Sequence, residues 1–250
     1  MARGTRFFHK TFVFLMVNLI AVPALLAAEN GANQDFISLQ ALLEAGGWTL
    51  KLIILLSIIA LGLTIFFVLT FRAGMIFPRP FMNEAMRAAE EGDREALQSI
   101  CTTDPSPAAR IIAAATEQAA VNDNPDYMAI RDAVEDEGAR QASGLWQRLQ
   151  YLMDVAVIAP MVGLLGTVLG MLTAFADLRT EIGGVRPDTL SQGVAKALIT
   201  TAGGLIVGIL AMILYAIFRG RVNGLIAGLE ESCSRVLRVF ISNYRKQDGK

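Results

Sequence analysis

Hydrophobic residues are concentrated in three long runs, at residues 50–71, 151–177 and 196–218. Each run reaches or exceeds the ~20 residues that a helix rising about 1.5 Å per residue needs to cross the apolar core of a bilayer. We therefore predict three transmembrane helices. The first run has only Ser57 and Thr64 as polar residues well inside it, which favours a lipid-facing support helix.

The N-terminal residues have the three parts of a secretory signal: basic residues, an apolar run and two final alanines. We predict that residues 1–28 are a signal peptide that is cleaved after Ala28. An uncleaved signal anchor stays open, because Leu26 occupies a position where cleavage sites favour alanine. In either case residues 29–49 are expected to be periplasmic. Apolar residues at helical spacing within them predict an interfacial helix.

Residues 72–150 form a predicted cytoplasmic helical region. Two prolines stop the first transmembrane helix from continuing, and the rest is rich in helix-forming residues. The pattern predicts helices at residues 81–91 and 96–118, the second broken at 104–107, and a long helix from Pro125 into the second run. Eight basic and thirteen acidic residues give the region a charge of -5, which indicates a solvated surface or a docking surface.

Two further segments flank the third run. Residues 178–195 contain glycine, proline and scattered charge, which predicts a tight periplasmic connector. Residues 219–250 predict a basic amphipathic C-terminal helix in the cytoplasm, whose charges either contact anionic lipid or form a solvated surface. Its apolar stripe consists of Leu225, Leu229, Val236, Val239 and Phe240.

Basic residues indicate which ends of the runs face the cytoplasm. Arg72 and Arg79 follow the first run, and Arg219 and Arg221 follow the third. Because arginine and lysine are enriched on the cytoplasmic side, the first helix enters the cytoplasm, the second leaves it and the third re-enters it.

Composition excludes several other classes of protein. With 54% hydrophobic and 18% charged residues, the chain is too apolar for an ordinary soluble domain. The net charge of -1 argues against nucleic acid as a partner, and no nucleotide-binding motif is present either.

Candidate catalytic and metal-binding residues are few. The single histidine, His9, lies in the predicted signal peptide, so the cleaved chain would contain none. Cys101 and Cys233 both fall on the predicted cytoplasmic side, so they are expected to be reduced and structural. No CxxC pair is present, which argues against a zinc site or a thiol nucleophile. We therefore expect no metal, no cofactor and no enzyme activity.

The second and third runs contain small and hydroxyl residues that simple membrane anchors do not need. Small residues four apart let helix backbones approach, and a hydroxyl in hydrocarbon favours a neighbouring helix or a water-filled path. Packing of the hairpin against itself is one explanation, and a hydrated pore is the other. The small residues are Gly163, Gly166, Gly170, Gly203, Gly204 and Gly208, and the hydroxyl residues are Thr167, Thr173, Thr200 and Thr201.

Two motifs in these runs carry a resemblance to a known family. Residues 159–171 (APMVGLLGTVLGM) and 193–205 (GVAKALITTAGGL) resemble the signature of the MotA/TolQ/ExbB proton-channel family, nearest to its ExbB and TolQ branch. The resemblance implies an all-α membrane protein with three transmembrane helices after a signal peptide and long helices extending into the cytoplasm. It also implies assembly as a ring, in the ExbB case a pentamer, in the bacterial inner membrane.

The same resemblance implies partners and a function. The ring would surround the helices of a small single-span protein of the ExbD or TolR kind, and proton flow would move this partner and, through it, a TonB-like transducer. The expected function is that of an ExbB-like stator subunit that energises TonB-dependent import across the outer membrane. A TolQ-like subunit, a motility-motor subunit and a non-conducting membrane scaffold are the alternatives.

The resemblance also assigns roles to individual residues. Thr167 and Thr201 match pore-facing threonines of ExbB, and Thr200 is a further candidate pore-lining residue. No carboxylate lies deep in a run, and threonine does not titrate at neutral pH, so the chain cannot be a complete proton motor. In the family the protonatable aspartate belongs to the partner. Lys196 replaces a glutamate that many ExbB proteins carry, and we expect it to pair with a partner carboxylate at the pore mouth or to lie at the water boundary.

Overall fold

The computed structural model describes residues 47–121, 127–180 and 187–248, and all regular structure in these residues is helical. The predicted all-α fold is therefore confirmed for this part of the chain. The predicted signal peptide and interfacial helix lie outside the described residues. The helices are α1 (Gly47–Thr70), α2 (Ala73–Ile76), α3 (Arg79–Glu91), α4 (Arg94–Thr103), α5 (Pro107–Ala120), α6 (Tyr127–Thr180) and α7 (Pro187–Asp248).

Three helical segments are long and apolar enough to cross a membrane: Gly47–Thr70, Tyr127–Ala176 and Gly193–Asn243. They cover the three runs predicted from the sequence to within one residue at the ends. This agreement follows from length and composition, the two properties that determine whether a helix is stable in hydrocarbon.

Helix α1 has one buried stripe and one exposed apolar face. Ala60, Thr64 and Phe67 belong to the stripe, because residues three and four apart lie on the same side of a helix. The Thr64 hydroxyl donates to Ala60 O over 2.7 Å, so this buried polar group is satisfied within its own helix. The exposed face contains large apolar side chains such as Ile58 and Leu69, as expected for a helix that faces lipid.

The short helices α3 to α5 begin and end at local sequence signals. Gly92 ends α3 with a φ of 72°, a left-handed conformation that favours glycine. Asp93 caps α4 by accepting from Ala96 N over 2.9 Å, and Ser106 caps α5 by accepting from Ala109 N over 3.3 Å. The predicted break at residues 104–107 is confirmed, because α4 ends at Thr103 and α5 begins at Pro107.

Helices α6 and α7 contain 54 and 62 residues, which corresponds to lengths of roughly 80 and 90 Å. The prediction that one helix continues from the region before residue 150 into the second run is confirmed by α6. Helix α7 begins at Pro187, so residues 187–195 of the predicted connector are helical. The reason is local: proline at the first helical position has a suitable φ and lacks only an N–H that would have no intrahelical partner.

The chain divides into two compact units. Unit 1 contains the described residues of 47–58 and 156–210, and unit 2 contains those of 59–155 and 211–248. In unit 2 the rings of Phe67 and Phe71 stack with centroids 4.9 Å apart, and Phe218 meets Phe67 edge-on at 5.6 Å. Aromatic pairs of this kind contribute about 0.5–1.5 kcal/mol each beyond the burial of their surface.

Candidate functional site

Glycines bring the backbones of α6 and α7 into direct contact within unit 1. A Cβ atom placed on Gly204 would lie 2.6 Å from Ala159 O and 3.0 Å from Gly163 Cα. Backbone atoms cannot move aside as a flexible side chain does, so no larger residue fits at Gly204 without separating the helices. This is the close approach predicted from the small-xxx-small spacing.

Four more of the six predicted packing glycines lie at close approaches. A Cβ on Gly163 would lie 3.0 Å from Thr200 O, one on Gly170 2.9 Å from Ala197 Cβ, and one on Gly208 2.5 Å from Pro160 Cγ. A Cβ on Gly166 would overlap the Thr200 hydroxyl and lie 2.9 Å from Thr200 Cβ.

Gly203 differs from the other predicted packing glycines. A Cβ at this position would meet Leu50 Cδ1 at 3.7 Å, which is an ordinary van der Waals contact. Adjacent residues of a helix point about 100° apart, so Gly203 and Gly204 cannot both face α6. Within the described residues Gly203 is therefore not at a close approach of α6 and α7, and its predicted packing role stays a prediction.

Sequence reasoning missed one glycine of the same interface. A Cβ on Gly193 would lie 2.5 Å from Ala174 Cβ. The signal for this contact was present in the sequence, because Gly193 and Ala197 extend the stripe of small residues on α7 at the same four-residue spacing. Ala174 similarly follows Gly166 and Gly170 on α6.

Thr201 links the two helices through a hydrogen bond. Its hydroxyl donates to Gly163 O over 2.9 Å. In an α-helix the same carbonyl oxygen accepts the N–H four residues later, which here belongs to Thr167. The Thr201 hydroxyl of α7 and the Thr167 N–H of α6 therefore both lie at Gly163 O.

Thr200 occupies a different environment from Thr201. Only 2% of its surface is exposed, and its hydroxyl donates to Ala197 O over 2.7 Å. In the single chain Thr200 therefore packs against Gly166. Its predicted role as a pore-lining residue stays a prediction.

The hydroxyl protons of these threonines are already used. A carbonyl oxygen can only accept, so Thr201 must donate to Gly163 O and Thr167 must donate to Leu164 O, 2.6 Å away. Thr173 likewise donates to Gly170 O over 2.9 Å. Each oxygen keeps its capacity to accept a hydrogen bond, and in this arrangement it offers no proton.

Helix α1 contributes a residue that sequence reasoning did not single out. Thr49 is 5% exposed, and a Cβ on Gly166 would lie 3.1 Å from its hydroxyl oxygen. The hydroxyls of Thr49 and Thr200 therefore approach Gly166 from two different helices. No sequence signal indicates this contact, because Thr49 lies at the edge of an apolar run like many boundary residues.

Lys196 is exposed and lies one residue before Ala197, whose Cβ lies close to Gly170. The charged group thus lies at the surface of unit 1, next to the close-packed interface. In the part of the chain that the structure describes, no three His, Cys, Asp or Glu side chains come together as a metal-binding group.

This geometry defines the class of the protein: a multi-pass membrane protein with two long helices held in backbone contact by small residues and linked by a threonine hydrogen bond. Within that class the chain belongs to the MotA/TolQ/ExbB proton channel family, whose sequence profile matches residues 103–231, just over half of the chain. The family predicted from the two motifs is confirmed.

Individual relatives agree with this assignment. The chain is 32% identical over 149 residues to an ExbB homolog of Methanothermobacter thermautotrophicus, a match that covers 60% of this chain and 50% of the relative. It is 45% identical over 92 residues to the biopolymer transport protein ExbB of Aquifex aeolicus, covering 36% of this chain and 62% of the relative. It is also 38% identical over 89 residues to the Tol-Pal system protein TolQ of Haemophilus influenzae, covering 34% and 37%. The chain thus spans less than two thirds of each of these relatives.

Proposed function

We propose that the chain is an ExbB-like stator subunit of the bacterial inner membrane, driven by the proton-motive force. With a single-span partner of the ExbD kind, it would move a TonB-like transducer and so energise import across the outer membrane. The observation that carries the proposal is the Thr201–Gly163 hydrogen bond, which holds Thr201 at a residue four positions before Thr167, about one turn of α6, within the segment that matches the family.

The hydrogen bonds that the threonine hydroxyls already donate determine how they can interact with a carboxylic acid of the partner. Because Thr167 and Thr201 donate their protons to carbonyls, their oxygens accept hydrogen bonds from a protonated carboxylic acid or from water. An ionised carboxylate only accepts, so these oxygens do not stabilise it directly. The threonines would therefore hold the partner's acid in its neutral form, and the acid would lose its proton where water reaches it.

Lys196 would act at the mouth of the same passage. Its side chain is exposed in the single chain, so it is available to a partner without rearrangement. The proposed contact is an ion pair with a carboxylate of the single-span partner, where many ExbB proteins carry a glutamate.

Assembly as a pentameric ring is part of the proposal. Large apolar side chains such as Met161, Leu164, Leu172 and Leu198 are exposed on α6 and α7 of the single chain. These faces would contact lipid and neighbouring copies, and the threonine side of the hairpin would face the partner.

The test is purification of the chain from its source membranes in mild detergent, followed by native mass spectrometry. The expected result is a complex of five copies with fewer copies of a single-span protein that carries an aspartate in its span. When this complex is reconstituted in liposomes with a pH-sensitive dye, an imposed gradient should cause proton flux. A monomer, or a ring without a guest helix and without proton flux, would contradict the proposal.

A TolQ-like role is the second candidate, because the similarity to a TolQ protein is comparable to that to ExbB proteins. The two roles differ in the protein that is moved. Deletion of the gene separates them: loss of TonB-dependent uptake with an intact outer membrane supports the ExbB-like role, whereas outer-membrane leakage with normal uptake supports the TolQ-like role.

A further inference from the structure

Two arginines are fixed by carbonyl oxygens at the end of α1, in unit 2. Arg221, on α7, donates from Nε to Phe71 O over 2.9 Å. Arg72 donates from Nε to Val68 O over 3.2 Å. Carbonyls at a helix C-terminus attract cations, so these contacts are favourable and orient both side chains.

The segment around Arg72, from Phe71 to Phe77, packs against α7. The rings of Phe71 and Phe218 lie 6.4 Å apart, and Ile76 at the end of α2 is only 3% exposed. Phe77 also packs on α7, since a Cβ placed on Gly228 would lie 3.1 Å from its ring. The short segment that contains Arg72 is therefore held against α7. Because Val68 O and Phe71 O belong to the same end of α1, both guanidinium groups lie near that helix end.

The pair produces a local excess of positive charge. Partial burial and, second, the positive charge of Arg72 lower the pKa of Arg221. Proximity of two like charges is unfavourable, and a bound anion offsets it. Guanidinium N–H groups form a planar fork that matches phosphate oxygens, so phosphate is the anion that such a pair fits well.

The position of the pair favours a phosphate that is attached to a lipid. Arg72 follows the apolar run of α1, and Arg221 lies just after the apolar run of α7. Met75, on the short helix α2 between Arg72 and Phe77, has 62% of its surface exposed. An exposed apolar side chain next to a cationic pair is typical of the membrane interface, where acyl chains and headgroups meet.

We propose that Arg72 and Arg221 together bind the phosphate headgroup of an anionic phospholipid, in the leaflet where α1 ends and α7 leaves the membrane. Because Arg221 also holds Phe71 O, the bound headgroup would strengthen the attachment of α1 to α7. The proposal rests on α1 and α7 spanning a membrane, and it is independent of the proposed motor function.

Arg219 provides a matched control. It lies at nearly the same depth as Arg221, has the same charge and is exposed. Two residues apart on a helix means about 200° of rotation, so Arg219 points away from the pair. If basic residues were attracted to an anionic surface only in a general way, Arg219 would contribute to lipid binding as much as Arg72. A defined site at Arg72 and Arg221 predicts that Arg219 contributes less.

The experiment measures lipid binding to the full chain in neutral detergent by native mass spectrometry. Dioleoyl phosphatidylglycerol, dioleoyl phosphatidylcholine and inorganic phosphate are added separately to the wild type, Arg72→Gln, Arg221→Gln and Arg219→Gln. Only folded protein contributes to the measured ratio of bound to free chain, so a change in stability does not change the result. Arg72→Gln is the principal variant, because the Arg72 side chain is exposed and its hydrogen bond to Val68 O lies within its own helix end.

We expect the wild type to prefer phosphatidylglycerol and Arg72→Gln to lose at least about tenfold of this preference. Loss of a single basic residue near a membrane surface typically costs about fivefold, so Arg219→Gln should lose no more than that. The proposal is overturned by equal losses in Arg72→Gln and Arg219→Gln, or by equal binding of the two lipids. Inorganic phosphate that binds as tightly as phosphatidylglycerol would assign the pair to a free anion and overturn the lipid site.

Discussion

Gly163 and Gly204 face each other across α6 and α7. A Cβ on Gly204 would lie 3.0 Å from Gly163 Cα, and a Cβ on Gly163 would lie 3.3 Å from Gly204 Cα. Helices in lipid gain little from the hydrophobic effect when they associate, so van der Waals contact between their backbones is a main source of stability. This pair of glycines allows that contact and brings Gly163 O within reach of the Thr201 hydroxyl.

Replacement of Gly204 by alanine should destabilise the hairpin by about 1–3 kcal/mol, which is typical of overpacking. The added methyl group would meet Ala159 O, a backbone atom that cannot rotate away. The free energy of unfolding in mixed detergent micelles measures the effect. Gly203→Ala is the matched control, since its methyl group makes only an ordinary contact, and equal losses in the two variants would contradict the assigned interface.

Replacement of Thr201 by valine keeps the shape of the side chain and removes the hydrogen bond to Gly163 O. The loss of stability should be small, about 0.6 kcal/mol, because hydrogen bonds between membrane helices average that value. Proton flux in reconstituted liposomes should fall far more than stability does. Thr201→Ser, which keeps the hydroxyl, should retain flux, and a Thr201→Val variant with normal flux would exclude the proposed role of this oxygen.

Replacement of Lys196 by glutamine tests the proposed pairing with a partner. Energised uptake should fall up to about fivefold, because a partly exposed ion pair contributes no more than ~1 kcal/mol. Lys196→Arg should retain uptake, and Lys51→Gln is the control at another exposed lysine of unit 1. Unchanged uptake in Lys196→Gln would mean that the lysine only lies at the water boundary.

Cys101 and Cys233 should react slowly with thiol reagents in the folded protein. Burial, followed by nearby acidic residues, raises the pKa of Cys101 to about 12, and burial likewise raises the pKa of Cys233 to about 12. At pH 8 the reactive thiolate fraction is then roughly a thousandfold below that of a free cysteine. Maleimide labelling before and after denaturation measures this. An added cysteine at the exposed position Ser99 should react at once, and equally rapid labelling of the native cysteines would contradict their burial.

The same raised pKa values predict how stability depends on alkaline pH. The ordinary thiol pKa is 9.0, and the folded values are about 12. Between these values the unfolded chain has lost the thiol protons and the folded chain keeps them, so stability falls as pH rises. The stability that comes from the raised thiol pKa values is fully present below about pH 9. The test measures the free energy of unfolding at pH 8 to 11 for the wild type and for the double variant Cys101→Ala, Cys233→Ala. We expect a shallower pH dependence for the double variant.

Local sequence signals were sufficient for the long helices and for several helix ends, although the start of α7 at Pro187 was not predicted. Run length predicted three apolar helices, and the break at residues 104–107 followed from a serine cap and a proline. The small-xxx-small spacing predicted close packing at Gly163, Gly166, Gly170, Gly204 and Gly208. In each case the cause lies within a few residues, such as the polarity of a segment, a capping side chain or a missing Cβ.

The sequence by itself determined the helical class, the family and the stripe of small residues. Only the tertiary structure decided which side of each helix faces its neighbour: Thr201 bonds to α6, whereas Thr200, about 100° away, is buried against Gly166. It also brought Thr49 to this contact and Arg221 to Phe71 O. Such contacts join residues far apart in the chain, and they depend on how helices cross and rotate, which adjacent residues do not specify.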